Sequence, residues 1–191
     1  MFARRSTYVQ ELFMELQLDL AENIPAAIRR LATEQVKFAL DQLTASQIDL
    51  DERIHTVRKS FKKVRAILRL VRDEIGQEIY QHENIAFRDI GRLLAPLRDS
   101  AVLIKTIDAV SDAISERSPD QLNIQTLKSI RAQLLNYQDR IRQQTINSRV
   151  FPQVISSLDQ ASTRIKRWPV TNNDFSAFHT GLQRVYRRGY R

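Results

Sequence analysis

A persistent three-and-four spacing, with few residues to break it, constrains this chain more than any other feature. Its 191 residues include only 4 Gly and 5 Pro, the residues that most often punctuate helices and form tight turns. Apolar residues recur at intervals of three and four along nearly the whole length, which is the period of amphipathic helices. No stretch carries a strand pattern. The chain is therefore expected to be all-α, an antiparallel bundle of about six to eight helices with short connections, forming one domain over residues 1–191.

Val9, Leu12, Phe13, Leu16 and Leu20 outline a first helix. A second starts near Ile24 and Pro25 and runs to about Thr44. Asp49 or Asp51 can accept from free backbone N–H groups at the start of a third. There Ile54, Val57, Phe61, Val64, Leu68 and Val71 form a regular stripe, with Gly76 as the stop. Further helices are expected from about Glu78 to Ala95, from Pro96 to a point before Ser118, and from about Gln125 to Asn147. Pro152 opens another, which Pro169 ends. Asn172, Asn173 or Asp174 caps the last, which begins at Phe175. Phe13, Phe38, Phe61 and Trp168 occupy apolar helix positions and are read as core.

The third helix also carries the sharpest charge pattern. RIHTVRKSFKKVRAILRLVR, residues 53–72, holds eight basic residues and no acidic one. At about 100° per residue, His55, Arg58, Lys59, Lys62, Arg65 and Arg69 fall within an arc of roughly 120° beside the apolar stripe. Lys63 and Arg72 lie at its margins. Like charges at these spacings repel, and a helix needing only solubility would intersperse Glu. An anion site is the favoured reading, against a stripe neutralised by carboxylates on neighbouring helices. Arg offers forked donors that match phosphate oxygens, and Lys acts as a mobile point charge. The whole chain agrees in sign: 30 Lys and Arg against 22 Asp and Glu give a formal charge of +8.

Other chemistry is thinly represented. Without Cys, disulfides, thiolate metal sites and cysteine nucleophiles are excluded. Three His are too few and scattered for a strong metal site, and Glu78 with His82 reads as a surface pair. No phosphate loop, dinucleotide fingerprint or serine nucleophile turn occurs. An enzyme is not expected, nor a cofactor. The first residues lack the apolar core of a signal peptide, and no apolar run approaches the roughly 18 residues of a spanning helix. The expected location is cytoplasmic.

At the basic helix the sequence resembles the CHAD family, the conserved-histidine α-helical domain. The match rests on His55 followed by Arg58, Lys59, Lys62, Lys63 and Arg65, and on FRDIGRLLAPLRDSAVLIKTI from Phe87 to Ile107. GLQRVYRRGYR at the end resembles a mid-domain helix of many members. The resemblance implies antiparallel helical bundles in two similar halves around a basic central surface that binds inorganic polyphosphate. It adds Arg88, Arg92 and Arg98 as ligands, with Arg184, Arg187 and Arg188 as further candidates and Arg29, Arg30 and Lys37 as weaker ones. Asp89 and Asp99 are expected to orient arginines. A second His-containing basic helix is lacking, since His179 is followed by Leu182 and Gln183 at the matching offsets. The chain is thus read as the N-terminal half of such a domain, incomplete at its C-terminus, with self-association able to complete the two-bundle surface. Association with polyphosphate granules follows from the same resemblance. The competing readings are a nucleic-acid-binding helical protein and an adaptor whose basic face docks an acidic partner or an anionic membrane.

Overall fold

A computed structural model describes residues 16–19, 21–117 and 121–189. Among these residues the chain forms eight helices and no strand: α1 (Ile24–Thr44), α2 (Leu50–Leu70), α3 (Arg72–Ile75), α4 (Gln77–Leu93), α5 (Ala95–Arg117), α6 (Gln121–Asn147), α7 (Val150–Ile165) and α8 (Ser176–Gly189). The all-α expectation holds. Of the helix expected before α1, Val9, Leu12, Phe13 and Leu20 lie outside the described residues. Leu16 is described, and it is exposed and not helical.

Local chemistry sets the helix starts. Asn23 accepts from the Ala26 N–H at 3.3 Å, with Pro25 in the first turn of α1. The Asp49 carboxylate accepts from Asp51 N–H at 2.9 Å and Glu52 N–H at 3.4 Å to open α2, where Asp51 and Glu52 also suit the positive end of the dipole. Of the three candidate caps before α8, Asp174 serves, accepting from Ser176 N–H at 2.7 Å. Asn173 instead accepts from Ile24 N–H at 2.8 Å, capping α1 across the fold.

The apolar stripes of α1, α2, α4 and α7 share one core. Leu31 and Val36 from α1, Val57 and Leu68 from α2, Phe87 and Ile90 from α4, and Leu158 and Ile165 from α7 all belong to it. Phe61 and Trp168 are buried as expected, and Phe38 is half-buried. One charged pair is built in: Glu83 on α4, 2% exposed, accepts both Arg164 bonds from α7 at 2.7 and 3.1 Å.

The third expected helix is broken before Gly76. α2 ends at Leu70, Val71 turns the chain, and α3 follows for one turn. Gly76 has φ of 81°, which favours glycine, and ends α3. At the break α8 crosses so closely that a Cβ on Gly181 would lie 2.1 Å from the Leu70 carbonyl oxygen. Only glycine fits there.

α5 and α6 form a hairpin that packs mainly on itself. Past Ala101 no described residue of α5 is buried, and on α6 only Gln138 and Thr145 are. The root is fastened by Asp51, whose carboxylate accepts from Gln138 at 2.9 Å and Arg142 at 2.7 Å. α6 begins at Gln121, four residues before the expected start, and α7 at Val150, which places Pro152 inside its first turn.

Candidate anion-binding groove

α2 and α4 run antiparallel, as two cross-links show: Arg58 donates to the Gly91 carbonyl, and Arg65 donates to Asn84 Oδ1 at 2.9 Å. Between them lies a groove of about 190 Å³. Arg58, Lys62 and Arg65 line one side, Arg88 and Arg92 the other, and Ala95 the end. Its floor is apolar, made by Phe61 and Phe87, which are 3% and 1% exposed with ring centroids 6.2 Å apart. Arg58, Lys62 and Arg65 of the stripe predicted on α2 thus form one wall, with Arg88 and Arg92 of the downstream segment as the other; Arg69 does not line the groove.

The cations of this groove act on one another. Burial pushes the Arg65 guanidinium down from its ordinary value, and the charges of Arg69 and Arg88 push the same way. Lys62 and Arg69 make no hydrogen bond or ion pair among the described residues. Asp89 accepts from Arg88 at 2.9 and 3.2 Å and from Arg92 at 3.3 Å. Hydrogen bonds from Arg88, aided by Arg92, hold its carboxyl below the usual carboxylate range. Asp89 therefore orients two of the arginines, as expected.

Not every candidate joins the groove. His55 and Lys59 are exposed and Lys63 is half-buried on the same helix; each has other interactions, and none lines the groove. Arg98 is half-buried, one turn beyond Ala95. Arg184, Arg187 and Arg188 line a separate hollow of about 300 Å³ on α8. Arg184 is tied there to Asp73 at 2.8 and 2.9 Å. Asp99 makes no hydrogen bond or ion pair among the described residues. Tyr186 is exposed, with an interaction of its own, and Tyr190 lies outside the described residues.

The weaker candidates on α1 need correction. Arg29 donates to the Trp168 carbonyl at 2.9 and 3.1 Å, to Val170 at 2.9 Å and to Pro25 at 3.2 Å. Arg30 is held between Glu22 and Glu34, at 2.6 and 3.1 Å. Both guanidiniums satisfy the protein's own carbonyls and carboxylates, so they secure the fold. Lys37 lies beside them in a shallow hollow.

Sequence reasoning missed Asn84 and Gly91. Glycine inside a helix costs about 1 kcal/mol relative to Ala, which was the available signal for Gly91. A Cβ there would meet the Phe61 ring at an ordinary 3.6 Å, so the glycine widens the groove and is not demanded by packing. Glu78 and His82 are both exposed, and no cluster that could hold a metal ion exists among the described residues.

The model of the CHAD domain matches residues 26–191. The chain belongs to the CHAD family. Every candidate ligand of this CHAD chain, from His55 on α2 to Arg188 on α8, lies inside the matched span. Comparison with curated proteins and with solved structures gives no match. No helix among the described residues is long and apolar enough to cross a membrane.

Proposed function

We propose that this CHAD chain binds inorganic polyphosphate in the α2–α4 groove and does not turn it over. The observation that carries this reading is the convergence of Arg58, Lys62, Arg65, Arg88 and Arg92 from two helices on one narrow cleft. A linear polyphosphate bears charge on every unit and no bulky base, so it can lie along such a cleft with each unit near a cation. The lining supplies cationic walls and an apolar floor, with no carboxylate or imidazole among its residues to move a proton. Arg184, Arg187 and Arg188 offer a second contact for a longer chain, and His55, Lys59 and Lys63 flank the first. The protein then resides in the cytoplasm wherever polyphosphate accumulates, granules included.

Nucleic acid is the competing ligand, because any phosphate backbone is drawn to such charge. Two features disfavour it: the groove's aromatic rings are buried floor, unavailable for stacking bases, and the cleft is too small for a duplex. Neutralising five phosphates gives, by analogy with single strands, a slope of log K against log salt of about −3 to −4. The deciding experiment displaces labelled long-chain polyphosphate with duplex DNA, single-stranded RNA or tripolyphosphate, compared per phosphate. Polyphosphate should compete at least about tenfold better than either nucleic acid. Equal competition by DNA sinks the reading.

A further inference from the structure

We propose that Lys62 is a modification site: its amine takes the acyl group of a small acyl phosphate that the arginines of the α2–α4 groove hold by its phosphate. Lys62 lines the middle of one wall, one turn after Arg58 and one turn before Arg65, with Arg88 and Arg92 opposite. It is exposed and makes no hydrogen bond or ion pair among the described residues. Arg65 gives its Nε–H to Asn84 at 2.9 Å and makes no other hydrogen bond among the described residues. Its two terminal nitrogens therefore keep their N–H donors for a phosphate. The other lysines are placed differently. Lys59 and Lys63 stand on the same helix but do not line the groove, and Lys105 and Lys128 are exposed on the α5–α6 hairpin.

The floor of the groove decides the class of ligand. Phe61 and Phe87 are apolar, and Gly91 and Ala95 add no polar side chain beside them. A chain of phosphates alone has no use for such a floor, whereas a short acyl group does. A molecule with phosphate at one end and acyl at the other matches both parts of the lining. A sugar phosphate fits less well, because its hydroxyls would lie on rings that offer no hydrogen bond. The groove, at about 190 Å³, falls below the roughly 300 Å³ where pockets for drug-sized ligands begin, so an acyl group held in it is short.

The step balances without any other reactant. The neutral amine of Lys62 attacks the carbonyl carbon, and a C–N bond forms. The C–O bond to phosphate breaks, and its electron pair stays on the departing phosphate oxygen, where the arginines stabilise the growing charge. One proton moves from the nitrogen to that phosphate, giving an amide and inorganic phosphate. Holding the acyl phosphate beside the amine raises its effective concentration, so Lys62 outruns lysines that rely on collision. The product has lost a positive charge and carries an apolar cap over the floor. Acylation therefore weakens the groove for polyanions, a regulation that rests on the polyphosphate reading for its ligand but not for its chemistry.

The test treats the 191-residue chain with acetyl phosphate and follows acetyl-lysine at each position by mass spectrometry. Lys62 should be acetylated at least about tenfold faster than Lys105 or Lys128. Acetic anhydride, which has no phosphate to hold, should not show that preference. Arg88→Ala should slow Lys62 several-fold with acetyl phosphate and leave Lys105 and Lys128 unchanged. Sulfate added to the wild-type chain, compared with chloride at equal ionic strength, should do the same, which keeps the test valid if the variant misfolds. In the acetylated chain the slope of log K against log salt for polyphosphate should be shallower by about 0.7. Lys62→Arg, which keeps the charge but cannot take the acyl group, should abolish that response to acetyl phosphate. Lys62 reacting no faster than Lys105 and Lys128 overturns the proposal, as does an equal preference with acetic anhydride. Preferred acetylation with no change in polyphosphate affinity supports the modification site and counts against the polyphosphate reading. Polyphosphate binding with no preference at Lys62 sinks the acylation alone.

Discussion

Two neighbourhoods of this protein are rich in arginine and use it in different ways. Where α7 ends against α1 and α4, Arg29, Arg30 and Arg164 each close on the protein's own oxygens. In the groove between α2 and α4, Arg58 and Arg65 give one hydrogen bond each to neutral groups, and Lys62 is left to solvent. The difference is one of carboxylates. Glu22 and Glu34 serve Arg30 and Glu83 serves Arg164, with backbone carbonyls holding Arg29, whereas in the groove Asp89 is paired with Arg88 and Arg92. Arginine by itself therefore says little about ligand binding; whether its charge is already answered says much more.

Substitutions can break or sharpen that contrast. The largest effect is expected from Arg164→Ala, which strands the buried Glu83 carboxylate. It should cost about 3–5 kcal/mol in urea unfolding, while polyphosphate affinity stays unchanged in the temperature range where the variant is folded. Next comes the combined Arg58→Ala, Lys62→Ala and Arg65→Ala variant. Polyphosphate affinity should fall about hundredfold, or about 2.7 kcal/mol, with helical content near normal by circular dichroism. Unchanged affinity would move the site away from α2. Arg29→Ala removes the donor to three backbone carbonyls, and a loss of about 1–3 kcal/mol in thermal unfolding is expected, again without effect on binding.

The smallest effect belongs to Asp89→Asn, which releases Arg88 and Arg92 from their internal anion and should raise polyphosphate affinity a few-fold by titration. The pH dependence follows from the same pair. Because Asp89 is held below the usual carboxylate range, its contribution is present above that range and lost only as pH falls through the lowered value. Wild-type affinity should thus show no step from Asp89 between neutral pH and about pH 5.

Most helices were legible because each has an apolar stripe, and the stripe on α2 located one wall of the groove. The opposite wall came from resemblance, since the separation of Arg88 and Arg92 from α2 in sequence hides their proximity. Sequence could not separate Arg29 and Arg30 from true ligands. Their partners are the Trp168 and Val170 carbonyls, which no side-chain pattern announces, and Glu22 and Glu34, which look like ordinary surface charge. The break at Val71 was invisible for a similar reason. It accompanies the crossing of α8 at Gly181, more than a hundred residues away.

The bond from Ile24 N–H to Asn173 spans 149 positions of sequence, and it has a meaning in time. A chain made at about 5–20 residues per second exposes Asn173 roughly 7–30 s after Ile24. Throughout that interval α1 has α2 to pack on, but lacks its cap from Asn173 and the seat of Arg29 on Trp168. The nascent bundle stays open at that end until the last loop emerges, and synthesis itself sets the earliest moment at which it can close.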